Sequence, residues 1–234
     1  MINPTTNCIK CDSNNCWLIK YCSSEWLEFA QKHIISRRYK KKEHVIYEKS
    51  LMKGIFFIHS GKVKVYKTGI GKKQQVVRLS KSGDILGHRG FNREYWPISA
   101  EVIEESCICF IESEYFLTLL KNNSELSNNL LLFFVDELYY SEEIARDLSQ
   151  LSVRERVAEA LLKIKKAYCP SNEEKSIGVS LSRQDIADIA GTTKEQVSKN
   201  LADFKEEKII NLNNKEIVIE NLNKLIFIAN HSRF

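Results

Sequence analysis

The sequence has none of the long apolar segments that mark membrane proteins. No run approaches the roughly 18 apolar residues that a membrane-spanning helix needs, and residues 1–10 (MINPTTNCIK) contain no apolar core of a secretory signal. Only three prolines occur in 234 residues, of which 43% are hydrophobic and 28% are charged. This composition excludes collagen-like and disordered chains, and the length suffices for two domains. We therefore expect a globular cytoplasmic protein with no membrane partner.

The motifs of common enzyme classes are absent as well. The chain has no glycine-rich phosphate loop and no nucleophile motif, and its five histidines are scattered without catalytic or metal-like spacing. Its net charge of +5 is compatible with nucleic-acid binding but too small to indicate it alone. We therefore expect a binding protein and not an enzyme.

The N-terminal half carries the signature of short strands. Seven of the nine glycines lie between Gly54 and Gly90. They alternate there with runs of β-branched, aromatic and aliphatic residues, as in GIFFIHSGKVKVYKTGIG. A further strand, within ISAEVIEESCICFIES, ends near Glu112. This pattern predicts an antiparallel roll or barrel.

A long helix is predicted next, because no glycine or proline occurs from Ser124 to Tyr168. Apolar residues recur there at three- and four-residue steps, with Ser141 at the one polar step. The repeating residues are Leu131, Phe134, Leu138, Ala145 and Leu148. Such a nearly heptad stripe is typical either of a helix lying on its own domain or of a dimer interface, and the pattern alone leaves both open.

The C-terminal segment LSRQDIADIAGTTKEQVSKNLADFKEEKII predicts a helix-turn-helix. Two N-cap patterns, Ser182-x-x-Asp185 and Thr192-x-x-Glu195, each precede a short helix. Gly191 lies between them, where the chain must turn sharply. The runs around Asn-Asn in IINLNNKEIVI then predict a β-hairpin, and the combination is a winged helix.

The second helix of this motif, from about Thr193 to Glu206, carries candidate DNA-binding residues. An α-helix fits the major groove, where its N-terminal side chains meet base edges. The predicted set is Arg183, Thr193, Lys194, Glu195, Ser198 and Lys199, of which the last four share the exposed side of the helix. Arg183 would hold phosphate without reading sequence. The alternative is a solvated helix face on which Glu195 acts only as a cap.

Four of the seven cysteines lie close together near the N-terminus, in the spacing C-x2-C-x4-C-x5-C: Cys8, Cys11, Cys16 and Cys22. In the cytoplasm thiols stay reduced, so such a group favours metal or redox chemistry. The residues alone leave structural zinc, a redox-active thiol pair and no role as alternatives.

Three segments in order, FFIHSGKVKVY, SGDILG and the helix-turn-helix, resemble the Crp/Fnr family of bacterial transcription regulators. The resemblance implies an α+β fold with an N-terminal β-roll of the cyclic-nucleotide-binding type, a long dimerisation helix and a C-terminal winged helix-turn-helix. It also implies a homodimer that binds two-fold symmetric double-stranded DNA, with RNA polymerase as a further partner. The Fnr branch reads bases with Glu-x-x-Ser-Arg, which here is Glu195-x-x-Ser198-Lys199.

The resemblance also assigns a role to the cysteines. The Fnr branch holds a [4Fe–4S] cluster on three N-terminal cysteines and one on a β-roll strand. The matching set here is Cys8, Cys11, Cys16 and Cys109, with Cys22 or Cys107 as alternative ligands. Thiolates are the soft ligands that such clusters need. Zinc or no metal remains the alternative.

Cyclic-nucleotide binding is not expected from the same resemblance. Members that bind cyclic AMP have a Gly-Glu pair for the ribose and Arg-Ser-Ala for the phosphate. Gly87-His88 and Ile98-Ser99-Ala100 stand at these positions, so the phosphate charge would be unmatched. An Arg89 or Arg93 side chain that points into the roll would favour a nucleotide or another organic ligand instead.

We therefore predict four parts of the chain. Residues 1–22 form a cysteine-rich arm, 23–123 a β-roll sensor, 124–151 the dimerisation helix and 152–234 the winged-helix domain. The predicted function is transcription regulation in response to oxygen, nitric oxide or another redox signal, through an iron–sulfur cluster. The alternative is a regulator that responds to a small ligand in the β-roll, with cysteines that bind zinc or have no role.

Overall fold

The computed structural model describes residues 15–169, 171, 174–213 and 216–229. It separates into two compact units. The first comprises Met1–Thr68 and Arg78–Tyr139, and the second comprises Gly69–Val77 and Tyr140–Phe234. Cys8 and Cys11 lie outside the described residues.

The first unit is built around an antiparallel sheet. Its strands are β1 (Ile34–Tyr39), β2 (His44–Ile46), β3 (Gly54–Thr68), β4 (Gln74–Lys81), β5 (Ile85–Leu86) and β6 (Ser99–Glu112). The sheet order is β1-β6-β3-β4, with β2 on β6 and β5 on β3. Strand β6 pairs antiparallel with β1, β2 and β3, so it is the central strand of the roll.

The pairing of the long strands β3 and β6 is irregular near its middle. Their register shifts between Ile58 and Val63, around Gly61, whose φ is +105°. A side chain at Gly61 would be strained at this φ and would overlap Ser106 of β6. Glycine therefore allows the two strands to stay paired across the bulge.

Helices cover one end of the sheet. They are α1 (Trp17–Tyr21), α2 (Ser24–His33), α3 (Ser113–Asn122) and the long α4 (Ser124–Gln150). An apolar cluster joins them to the strands, and it includes Trp17, Leu18, Phe57, Phe116 and Leu126. Burial of this apolar surface fixes α1 and the first turn of α4 to the roll.

The second unit contains the C-terminal elements. They are α5 (Val153–Tyr168), α6 (Arg183–Ala190), α7 (Lys194–Glu206), β7 (Ile210–Asn213), β8 (Glu216–Ile219) and α8 (Leu222–Ala229). Helix α5 begins with a capping box, in which Ser152 N donates to Glu155 Oε2 at 2.7 Å. Its buried face packs on α6 and α8. No described helix is both long and apolar enough to span a membrane.

The predicted fold class is confirmed. An antiparallel β-roll precedes a long helix, and a helix-turn-helix followed by a hairpin ends the chain. Strand β7 includes Asn213, one residue beyond the predicted end of this strand. The dimeric role of α4 stays a prediction.

Candidate nucleic-acid interface and cysteine site

Helix α6 begins at Arg183 because Ser182 caps it. Asp185 N donates to Ser182 Oγ at 3.1 Å, and Ser182 N donates to Asp185 Oδ2 at 2.9 Å. This reciprocal pair is the capping box that the sequence predicted. It fixes where the helix-turn-helix starts.

Gly191 makes the turn between α6 and α7. Its φ of 62° and ψ of 43° lie in the left-handed region, where side chains are disfavoured. A Cβ at this position would also overlap the side chain of Leu148. Thr192 N donates to Ala187 O at 3.1 Å, which closes the turn. Glycine is therefore required here for both conformation and space.

Thr193, and not Thr192, caps α7. Gln196 N donates to Thr193 Oγ1 at 3.4 Å, and the helix begins at Lys194. The expectation of a box at Thr192-x-x-Glu195 is therefore wrong by one residue. The reason is that Thr192 is used by the turn, through its backbone bond to Ala187.

Glu195 also takes part in this N-terminal turn. Its pKa is lowered, first by a hydrogen bond from its own backbone N–H and then by one from the Thr193 hydroxyl. A carboxylate near a helix N-terminus is further favoured by the helix dipole. Glu195 thus stays ionised, which allows its carboxylate to accept from cytosine N4.

The buried face of α7 determines which side is presented to solvent. Val197, Leu201 and Phe204 are buried, and they anchor α7 to the unit. The opposite side exposes the predicted set Thr193, Lys194, Glu195, Ser198 and Lys199. The helix therefore presents its polar N-terminal turns to solvent, as major-groove insertion requires.

Arg183 differs from the other predicted residues. It is half-buried, and burial lowers the pKa of its guanidinium. It remains charged, because arginine is protonated throughout the physiological range. Its place at the start of α6 suits a phosphate contact that sets register and carries no sequence information.

Gln196 is a candidate that sequence reasoning missed. It is exposed in the first turn of α7, between Glu195 and the buried Val197. Glutamine can pair with both N6 and N7 of adenine. Its place in the first turn of α7, beside the predicted face, was the available signal.

The cysteines come from distant parts of the chain but share one environment. Cys22 and Cys109 are buried in the apolar cluster of the first unit, and Cys16 packs against it. Trp17, next to Cys16, stacks on Phe57 with ring centroids 6.4 Å apart. Phe57 is the cross-strand partner of Cys109. The structure therefore brings Cys16 and Cys109 to the same apolar core.

Cys22 is a buried thiol at the end of α1. Burial raises its pKa to about 11, and a hydrogen bond from Asn123 lowers it by less. Asn123 Nδ2 donates to Cys22 Sγ at 3.6 Å. The same amide accepts from Leu126 N at 3.0 Å through Oδ1, so Cys22 is linked to the first turn of α4.

The donor set fits an iron–sulfur cluster in its chemistry. Cys16 and Cys109 offer soft sulfur donors, and the apolar packing around them limits solvent access. Among the residues that the structure describes, no three His, Cys, Asp or Glu side chains are grouped to hold a metal. Only two of the four predicted ligands can be placed, because Cys8 and Cys11 lie outside that part.

The two positions that the resemblance associates with a cyclic nucleotide, Gly87-His88 and Ile98-Ser99-Ala100, have the following surroundings. His88 is buried against the rings of Phe133 and Phe134, and its Nε2 faces the Glu137 carboxylate at 3.3 Å. Ile98 is buried and apolar, so it offers no charge to a phosphate. Cyclic-nucleotide binding therefore remains unexpected for this chain.

Comparison with known families agrees with this architecture. Residues 36–123 match the family described as Cyclic nucleotide-binding domain, and residues 155–228 match the Crp-like helix-turn-helix domain. The chain belongs to the Crp/Fnr family. Members of this family are transcription regulators and not enzymes, as the sequence predicted.

The curated relatives of this Crp/Fnr chain include two proteins that are named as regulatory proteins. The Anaerobic regulatory protein of Haemophilus influenzae is 25% identical over 176 residues, which cover 75% of this chain and 68% of that protein. The Fumarate and nitrate reduction regulatory protein of Escherichia coli K12 is 24% identical over 183 residues, 78% of this chain and 73% of that protein.

A solved structure supports the fold. FixK2 from Bradyrhizobium japonicum aligns with a TM-score of 0.73 and 22% identity. The alignment covers 83% of this chain and 96% of FixK2. At this identity the likeness concerns the fold alone.

Proposed function

We propose that this Crp/Fnr-type transcription regulator is a homodimer that senses oxygen, nitric oxide or another redox signal through a [4Fe–4S] cluster. The cluster would be held by Cys8, Cys11, Cys16 and Cys109. The observation that carries the sensing proposal is the shared apolar core of Cys16 and Cys109. The names of the curated relatives, an anaerobic regulator and a fumarate and nitrate reduction regulator, support it.

Direct base reading would come from the first turns of α7. Glu195 would accept from cytosine, and Lys199 would donate to guanine, while Arg183 would hold a phosphate. Lysine replaces the arginine of the Fnr pattern at position 199, so one donor group replaces a bidentate fork. We therefore expect an Fnr-like half-site with weaker guanine discrimination.

Dimerisation would use the apolar side of α4. Large apolar residues are exposed along it: Leu131 (64%), Leu132 (62%), Val135 (58%), Leu138 (62%) and Tyr139 (59%). Phe134, also part of the predicted stripe, instead packs against the core of the roll. A stripe of this size costs free energy in water, and a second copy of the same helix would cover it in a near-heptad arrangement.

The link from sensor to dimer would run through packing. An iron–sulfur cluster supplies a group that oxygen or nitric oxide can destroy. Cys22 and the first turn of α4 share Asn123, and Cys109 lies in the same core. Loss of the cluster would loosen this core, and with it the start of α4.

The test is purification under strict anaerobiosis, followed by assays for iron, sulfide and zinc and by absorbance spectra before and after air. We expect about four irons and four sulfides per chain and a brown colour that bleaches. Cys109→Ser should abolish cluster binding, and Cys169→Ser is the matched control. A colourless protein with one zinc per chain, or with neither metal, would contradict the cluster.

DNA binding is tested separately, so that its outcome does not depend on the cluster. Fluorescence anisotropy with a symmetric site and a scrambled duplex should show tighter binding to the symmetric site. Equal affinity for both duplexes at the same salt would contradict sequence-specific regulation.

A further inference from the structure

The first unit contains a buried ion cluster that the proposed DNA and cysteine chemistry does not use. It consists of Arg78 on β4, His88 and Arg89 in the turn after β5, and Glu137 on α4. Their side chains are 13%, 3%, 24% and 13% exposed, respectively. Such burial of four polar groups requires that they satisfy one another.

Glu137 is the common acceptor of this cluster. Arg89 Nη2 and Nε donate to Glu137 Oε2 at 2.6 and 3.2 Å, and His88 Nε2 lies 3.3 Å from the same oxygen. Arg78 Nε lies 3.6 Å from Oε1. Both carboxylate oxygens therefore face basic groups of the β-roll.

Two of the three basic groups, Arg78 and His88, also contact residues other than Glu137. Arg78 Nη1 donates to Ile85 O at 3.1 Å, its Nη2 lies 3.6 Å from Asp84 Oδ2, and its guanidinium lies over the Phe133 ring. His88 packs edge-on against Phe133. Arg78 is therefore anchored within the roll, and both Arg78 and His88 also pack on Phe133 of α4.

His88 has an orphaned atom in this site. Its Nδ1 is buried and has no hydrogen-bond partner among the described residues. A buried polar atom without a partner is costly. The other ring nitrogen, Nε2, has Glu137 as its partner.

We propose that the β-roll contains a carboxylate-binding site and that Glu137, from the chain's own α4, is its resident ligand. The site takes an acetate-sized carboxylate, which is the group at the end of the glutamate side chain. Because its basic groups belong to the roll and its ligand belongs to α4, occupancy fixes this part of α4 without a nucleotide. This inference is independent of the iron–sulfur proposal.

The experiment removes the internal ligand and supplies it from solution. Glu137→Ala leaves Cβ in place and removes a fragment with the size and charge of acetate. Thermal unfolding of the full-length protein is measured in sodium chloride and in sodium acetate at equal ionic strength and pH. Asp136→Ala, at an exposed neighbouring position, is the matched control.

We expect Glu137→Ala to lower Tm in chloride by roughly 5–10 °C, and acetate to restore at least half of the loss. Glu137→Gln, which fills the same space without charge, should be destabilised but not rescued. Asp136→Ala should behave as the wild type in both salts. Unchanged stability of Glu137→Ala, or an equal gain in acetate for all four proteins, would overturn the proposal.

Two further outcomes keep the test decisive. If Glu137→Ala is unfolded in chloride, recovery of the folded protein in acetate supports the site. The site is contradicted if Glu137→Ala also fails to fold in acetate while Glu137→Gln keeps the wild-type Tm. Cyclic AMP should leave the Tm of the wild-type protein unchanged. A rise in Tm with cyclic AMP would show that the site accepts an external anion and that Glu137 is not its resident ligand.

Discussion

Helix α7 and the ion cluster of the β-roll use charge in opposite ways. On α7, Glu195 and Lys199 face solvent, where water solvates them at little cost until a partner replaces it. In the roll, Glu137 is enclosed by Arg78, His88 and Arg89. A charge that is exposed remains available for recognition, whereas a buried charge is committed to its neighbours. The pKa of both glutamates is lowered, but backbone and hydroxyl donors do so at Glu195 and basic side chains at Glu137.

Charge reversal at Glu137 and at Glu195 should give the largest difference in stability between the two regions. Glu137→Lys places a third cation among Arg78 and Arg89, so we expect the free energy of unfolding to fall by roughly 3–5 kcal/mol. Glu195→Lys should lower the urea midpoint only slightly, because its side chain is solvated and loses only its contacts in the first turn of α7. Urea unfolding at pH 7 measures both. Similar midpoints for the two variants would contradict the contrast between buried and exposed charge.

Acid should weaken the roll through His88. Burial lowers its pKa to about 4, below the value of about 6.5 in the unfolded chain. The unfolded state therefore binds a proton first as pH falls, so stability is full above pH 6.5 and declines toward pH 4. The expected slope is about 1.4 kcal/mol per pH unit.

The groups that face His88 define the control for this measurement. The pKa of Glu137 is held at about 2 by His88, Arg78 and Arg89, despite its burial. The pKa of Asp84, which faces Arg78, is raised by burial. His88→Gln keeps a donor for Glu137 but does not titrate. Its unfolding free energy should therefore vary less between pH 6.5 and 4, and an unaltered slope would assign the effect to other groups.

Base reading should show an intermediate effect that leaves the fold intact. Glu195→Ala removes an acceptor for cytosine, so discrimination at one base pair of each half-site should drop by about 5- to 100-fold. Competition binding with single-base variants of the site measures it. Glu206→Ala, on the same exposed face but at the far end of α7, is the control. Loss of affinity for every sequence alike would instead indicate a phosphate or folding effect.

The cap of α7 should give the smallest effect. Thr193→Ala removes the bond from Gln196 N and should cost about 1 kcal/mol, as judged from urea unfolding. Thr192→Ala is the natural comparison, since only its backbone is used in the turn. A larger loss at position 192 than at 193 would contradict the cap assignment.

Local patterns in the sequence predicted the helix-turn-helix almost completely. Ser182, Gly191 and the apolar spacing of α7 act within a few residues of one another, so their roles can be read directly from the chain. The cap at Thr193 was missed by one residue because two adjacent threonines compete for the position. Only the turn geometry distinguishes them.

The ion cluster could not be predicted in the same way. Glu137 lies 48 residues after Arg89, and only the packing of β4, the turn after β5 and α4 brings Arg78, Arg89 and Glu137 together. The sequence indicated Arg89 as a possible ligand-binding residue. Its partner is Glu137, whose position on the long helix gave no sign of burial. The ligands Cys8, Cys11, Cys16 and Cys109 remain a prediction.

The amide of Asn123 has a consequence for local opening of the protein. It bonds to Cys22 Sγ and to Ser23 Oγ on one side and to Leu126 N on the other. Residues 22–23 and the first turn of α4 cannot then separate without breaking these bonds together. In native-state hydrogen exchange, we expect the amide protons of Cys22 and Leu126 to be released in one cooperative opening, with a common free energy.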